Sequence, residues 1–268
     1  LQVNNGSEIY DTAGTVTVNG DITVTAGTFD LANQSMNVAG GDVNVVGIFL
    51  GKNPVTSCNN TGTLTVSGTG NIGGAGTFSP CKLTIDGTST LAGALTVTGD
   101  LTINTSKSLS TGAGSYAVAI NCGAACAGGS YSNNGTFTAN SGTVAFGATG
   151  GSKTLAGNMT GTSAFNNLTF NGAGGGWSFS NDVEVVTDMT VTAGTVALNS
   201  KNLTVSGGDI TTSSTASITC VACTAGTVTL SGGGTVGGGT GTITFYNFTL
   251  SGSANTTTLG TDITISND

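Results

Sequence analysis

Histidine and arginine are absent from this 268-residue chain, and charged residues of every kind make up only 7% of it. Without histidine there is no side chain poised to act as a base near neutral pH, and without arginine no planar fork for a phosphate or carboxylate. A Gly-x-Ser-x-Gly nucleophile elbow is missing too, so catalysis has little to work with. The basic residues are Lys52, Lys82, Lys107, Lys153 and Lys201, and the net charge is −8. A surface of that sign repels phosphate backbones and anionic bilayers, which argues against nucleic-acid or membrane-surface partners. The apolar runs, such as Val43–Leu50, are interrupted and far too short to span a membrane. Low charge also separates the chain from disordered sequences, because its mean hydropathy is positive and β-branched residues abound. No signal peptide is visible and the chain opens on Leu1, which fits a mature or excised segment, and six cysteines in an acidic Thr/Asn/Gly-rich chain suggest an oxidising, extracellular setting.

What the chain does have is repetition. Val16–Val43 aligns without a gap on Val183–Ile210, and roughly half of the positions are identical. VTVNGDITVTAGTFDLANQSMNVAGGDV lies over VEVVTDMTVTAGTVALNSKNLTVSGGDI. Inside each copy, apolar pairs fall at even steps: Ile22/Val24, Phe29/Leu31, Met36/Val38 and Val43/Val45. Within a pair the apolar residues alternate with Thr, Asp or Asn, which is the period of a half-buried strand. Gly27, Asn33 and Gly40–Gly41 separate the pairs and suit turns. Three such strands make a coil of ~21 residues, as expected of a β-solenoid. The alternative, a hairpin meander, would call for more two-residue Asn-Gly turns than the chain holds. The expected fold is therefore all-β, a right-handed parallel β-helix over residues 1–268, with twelve or thirteen rungs in a rod roughly 60 Å long.

A second, longer period of roughly 80 residues overlies the coils. An Asp-led apolar-Thr-apolar strand recurs at Asp21, Asp100 and Asp188, and Asp268 falls in the same register. A companion strand starts at Leu1, Leu83, Leu168 and Phe248. The unit thus occurs three times, with the opening of a fourth, and both chain ends fall in mid-pattern. Solenoids that stand alone carry atypical capping repeats, so the expectation is open ends that neighbouring repeats or subunits cover. Residues 51–61 and 113–134 break the pattern and are expected to protrude as loops.

Candidate site residues have competing readings. Cys58 and Cys81 are about one rung apart, and Cys122/Cys126 and Cys220/Cys223 would close small loops, so disulfides are favoured over metal chemistry. Asp21 and Asp42, like Asp188 and Asp209, sit one rung apart and could hold Ca2+ between them. The plainer reading, with carboxylates accepting from turn amides, is preferred because the calcium-binding nonapeptide is absent. Thr-x-Thr pairs such as Thr23/Thr25 suggest an ice-binding face, but Asn44 and Val46 follow one rung later, so that ladder should fail. Trp177, after a run of glycines, is either a sugar platform or a core residue. Phe29, Phe165, Phe170, Phe179 and Phe245 are expected to stack inside the coil. Asp182 and Glu184 share a face and form the best acidic pair for sugar cleavage, although such pairs are usually solvated. Several Asn-x-Ser/Thr sequons, including those at Asn167 and Asn247, permit glycosylation in a secreted protein.

With Asn134–Phe146 (NGTFTANSGTVAF), Phe165–Phe170 (FNNLTF) and Asp188–Asp209 (DMTVTAGTVALNSKNLTVSGGD), the chain resembles the Thr/Gly/Asn-rich β-strand-repeat proteins of microbial surfaces. These are similar in style to filamentous-haemagglutinin-like adhesins and autotransporter passengers. The resemblance, one of composition and pattern, implies a parallel β-helix with a surface or filament role. The leading expectation is a non-enzymatic extracellular structural element that associates with itself through open end rungs, with no cofactor. A glycan- or surface-binding adhesin module is the alternative, with loops near Cys58 and Cys122 or Trp177 as contacts. Ice binding and polysaccharide cleavage rank below both.

Overall fold

The computed structural model describes residues 1–51, 58, 61–123, 128–213, 215–252 and 256–267, with the side chains of 7–10 left out of the description. The chain winds into a β-solenoid of about 11 turns, nearly all of its regular structure being parallel strand. The hairpin alternative is excluded by the pairing itself. All the strand pairings among the described residues are parallel and join neighbouring coils, as Ile22–Val24 joins Gln2–Val3 and Val43–Val45.

Three faces close each coil. The first face runs through Ile22–Val24, Val43–Val45 and Thr88–Leu91 to Leu203–Val205 and Asn247–Leu250. The second carries Thr28–Asp30, Leu95–Val97, Met189–Val191 and Thr257–Leu259, and the third carries Met36–Val38, Leu83–Ile85, Val196–Ala197 and Ile263–Ile265. Alternation decides which residues point inward: Ile22 and Val24 are fully buried while Thr23 between them is not. Stacked coils then build continuous apolar columns. On the second face one column passes from Phe29, Phe49 and Phe78 to Leu168, Met189 and Val236, and none of these is more than 4% exposed.

The phenylalanines do stack inside. Phe29, Phe49 and Phe78 follow one another with ring centroids 5.4 Å apart, and Phe146 stacks on Phe170 at 5.3 Å. Phe165, Phe179 and Phe245 are fully buried. Tyr131 joins this core against Phe137, Phe146 and Phe165, and its burial holds the phenol far above its ordinary titration range.

Coil length is less regular than the first copy suggests. Equivalent positions on neighbouring coils lie 18 residues apart between Asp86 and Asn104 but 30 apart between Asp100 and Ser130. The extra residues are absorbed at corners, so fewer turns are made than the expected twelve or thirteen. The expected loop at 113–134 needs correction for the same reason. Val118–Ile120 and Tyr131–Asn133 lie within it and are regular strands of the second and third faces, both facing the core. Most of 51–61 lies outside the described residues.

The long repeat is out of phase with the coil. The companion strand at Leu1 lies on the first face, that at Leu83 on the third, that at Leu168 on the second and that at Phe248 on the first again. Each unit is therefore four coils less one face, and successive units are turned about the axis by a third of a revolution. Sequence-equivalent residues point in three directions.

Phe146→Ala empties a fully buried site and is expected to cost about 3–5 kcal/mol, lowering the midpoint of urea unfolding. Ala145→Ser, on the outward side of the same strand, should stay within about 0.5 kcal/mol of the parent.

Candidate functional site

Corners are where a parallel solenoid has spare backbone groups, because the ladder is interrupted there. Aspartates satisfy them. Asp21 Oδ1 accepts from the Asp42 amide at 3.2 Å, Asp42 Oδ1 from Asn71 at 2.6 Å, Asp188 Oδ1 from Asp209 at 2.9 Å and Asp209 Oδ1 from Thr235 at 2.6 Å. Asp100 accepts from Ser130 in the same way at 3.0 Å. Each bond joins one coil to the next. The four calcium candidates thus form two stacked pairs at different corners, one before the first face and one before the second. Among the described residues no cluster of three or more metal-ligating side chains occurs. Their carboxylates are occupied as amide acceptors, the plainer of the two expected roles.

Asp182 and Glu184 have the same duty. Asp182 accepts from the Asn202 amide at 2.8 Å and from its side-chain Nδ2 at 3.0 Å, and Glu184 Oε2 accepts from the Gly161 amide at 2.8 Å. Beside them a shallow polar cleft of about 390 Å³ is lined by Asn158, Thr160, Asn181, Asp182 and Lys201.

Two of the expected disulfides are present. Cys58 and Cys81 bond across neighbouring coils with Cα atoms 5.7 Å apart, and Cys220 bonds Cys223 within a corner, where the Ser200 amide donates to Cys223 Sγ. Cys122 is buried. Cys126 lies outside the described residues, and the expected Cys122–Cys126 pair with it.

Trp177 corrects the sugar-platform reading. It is 1% exposed and packs on Phe170 with ring centroids 5.1 Å apart. The neighbouring glycines explain how an indole fits there: a Cβ on Gly175 would sit 3.0 Å from Cη2, and one on Gly194 2.7 Å from Cζ3. The glycine run lets the backbone close over the ring. No aromatic sugar platform exists at this position.

Threonines stack more than the pattern at Thr23 suggests. Thr23 does face Asn44, but Thr65, Thr84 and Thr102 form a column on the third face. Thr169, Thr190 and Thr211 form another on the second, and Thr204, Thr229 and Thr249 a third on the first. The rotation of the long repeat spreads them over three faces in short runs, which is a poor match to one flat ice-binding array. The outward polarity of strands follows their β-propensity. Lys153, a residue that sequence reasoning passed over, occupies a strand position that alternation assigns to the core and is 3% exposed. Its neighbour in register is Trp177.

The last described coil spans Asn247–Ile265. Leu250, Leu259 and Ile265 are 56%, 59% and 40% exposed, whereas their partners one coil back, Leu230 and Phe245, and the Val236 beneath Leu259 are at most 1% exposed. These positions continue the core columns in the last described coil.

Comparison with protein-family models, curated protein sequences and solved structures finds no match.

Asp188→Ala should cost about 1 kcal/mol through the lost amide bond, and millimolar calcium or a chelator should leave the thermal midpoint of the parent unchanged. A calcium-dependent rise in that midpoint would restore the metal reading. Replacing both Cys58 and Cys81 by alanine should cost about 3 kcal/mol, read from denaturant unfolding under oxidising conditions.

Proposed function

We propose that this chain is a non-enzymatic structural element of an extracellular or cell-surface fibre, lengthened by addition of further coils at its open end. The observation that carries this reading is the set of core columns that run unbroken from coil to coil, reaching Leu250, Leu259 and Ile265 in the last described coil. Parallel strand addition at the end of such columns buries apolar surface and satisfies the backbone together. Low charge favours close axial approach of two such coils, since little repulsion has to be overcome. Disulfides fit an oxidising compartment outside the cell. The carboxylates best placed for sugar cleavage, Asp182 and Glu184, are engaged in coil-to-coil bonds, which supports a structural over a catalytic role.

Electron microscopy of purified protein over a range of concentrations tests this reading. End-to-end fibres are expected from the parent, and Leu259→Lys, at an exposed position, should leave the rod folded but abolish the fibres. Discrete rods at every concentration would contradict it.

A glycan-binding module is the second reading. With Trp177 inside the core, the cleft of Asn158, Thr160, Asn181, Asp182 and Lys201 is its best support, because it gathers amide, hydroxyl and ammonium groups. Glycan-array binding that is lost in Lys201→Ala would favour this module, and no binding would remove it.

A further inference from the structure

Of the cysteines on described residues, Cys58, Cys81, Cys122 and Cys220 are buried, none more than 7% exposed. Cys223 is the exception. It is partly exposed in the corner between Ala216–Thr219 on the third face and Thr227–Leu230 on the first, close to Val221, which is 82% exposed. The Cys220–Cys223 bond joins residues three apart, whereas Cys58–Cys81 joins residues 23 apart on neighbouring coils. A cross-link stabilises more the longer the loop it closes, so the corner bond contributes the less of the two to the rod.

The corner keeps its place by other means. The Leu198 amide donates to the Thr219 carbonyl at 2.9 Å, the Thr227 amide to Asn202 Oδ1 at 2.9 Å and the Thr224 amide to Ser200 Oγ at 3.1 Å. Both sulfurs also suit the reduced state. Cys220 belongs to the apolar core, where a neutral thiol is stable and a thiolate is not. Cys223 Sγ accepts the Ser200 amide at 3.2 Å, a bond that strengthens when the sulfur carries charge. Between them Ala222 is held at φ +55°, a left-handed conformation that is costly for alanine and that opening of the ring relieves.

We propose that Cys220–Cys223 is an exchange site for low-molecular-weight thiols, with Cys223 as the sulfur attacked, while Cys58–Cys81 is a permanent staple. An external thiolate bonds to Cys223 Sγ and the Cys220–Cys223 bond breaks. The electron pair leaves on Cys220 Sγ, which takes a proton from water and stays in the core as a thiol. A second external thiolate attacks the outer sulfur of the mixed disulfide. It releases Cys223 as a thiolate held by the Ser200 amide, and the two external thiols depart as their own disulfide. Two electrons thus pass from the external thiols to the corner.

Reduced glutathione is the probe. The whole folded protein is pulsed with it, quenched with acid, alkylated in denaturant and mapped by mass spectrometry. Glutathione is expected on Cys223 and the alkyl label on Cys220, appearing at least about ten-fold faster than any label on Cys58 or Cys81. The circular dichroism of the parent should be retained throughout. No reaction in the folded protein, equal rates at the two disulfides, or labelling only as the β signal is lost makes the corner bond a staple and overturns the proposal. Glutathione on Cys220 overturns the assigned direction of attack. Cys220→Ala leaves Cys223 as a lone thiol and keeps the core position apolar. Its alkylation rate should rise with pH around a midpoint below the ordinary thiol value of about 8.5. A midpoint at or above that value overturns the role given to the Ser200 amide.

Discussion

Pairing of each strand with its counterpart one coil away is the interaction on which everything else in this protein depends. The strands of a parallel solenoid satisfy their backbone through neighbours along the axis, and only short corner turns such as Gln34 to Leu31 bond within a coil. That single requirement dictates the rest. Inward positions are mostly apolar, since each side chain lies over another, as in the column from Phe29 to Val236, with Lys153, Ser89 and Asn133 among the exceptions. Corners must supply acceptors for amides that the ladder misses, and the aspartates do so, each from one coil to the next. Glycine is required where the wall closes over something large, as Gly175 and Gly194 close over Trp177. The same requirement leaves polar and apolar groups unmatched at a terminal coil.

The mismatch between coil and long repeat gives the rod an unusual symmetry. Three faces per coil and four coils less one face per unit make the repeat-equivalent strands walk around the axis. Asp21 precedes the first face, Asp100 the third and Asp188 the second. A residue kept in all three units therefore has to suit all three faces. This accounts for the similarity of the faces: alternating apolar and Thr/Asn strands serve equally well on each. It also keeps features such as the threonine columns from accumulating on one side.

Much of this was legible in the sequence because the signals are local and periodic. Alternation at Ile22/Val24 and Met36/Val38, and the glycines between, are properties of a few consecutive residues, and they name strand, corner and coil. Burial of Phe165, Phe170 and Phe245 follows from the same alternation. What remained hidden depends on how coils stack. The sequence spacing of Thr23 and Asn44 describes one column and says nothing of Thr65, Thr84 and Thr102, because coil length varies, being 17 residues between Phe78 and Leu95 and 30 between Asp100 and Ser130. The strands at Val118–Ile120 and Tyr131–Asn133 sit amid turn residues, and three apolar-facing positions are too short a pattern to stand out. Trp177 was ambiguous because a glycine run reads equally as an exposed turn and as a thin wall over a bulky core residue. Of the candidate site, the aspartates and the Cys58–Cys81 bond were visible through their one-coil spacing.

The proposed structural role places assembly along the axis of the rod and not in a groove across it. Fibre diffraction from aligned fibres of the protein is the most direct measurement of that claim. Coils stacked along the fibre predict a strong meridional reflection near 4.8 Å, the spacing of paired strands, and a fibre no wider than one rod. A 4.8 Å reflection on the equator, or fibres several rods wide with no axial order, would contradict it.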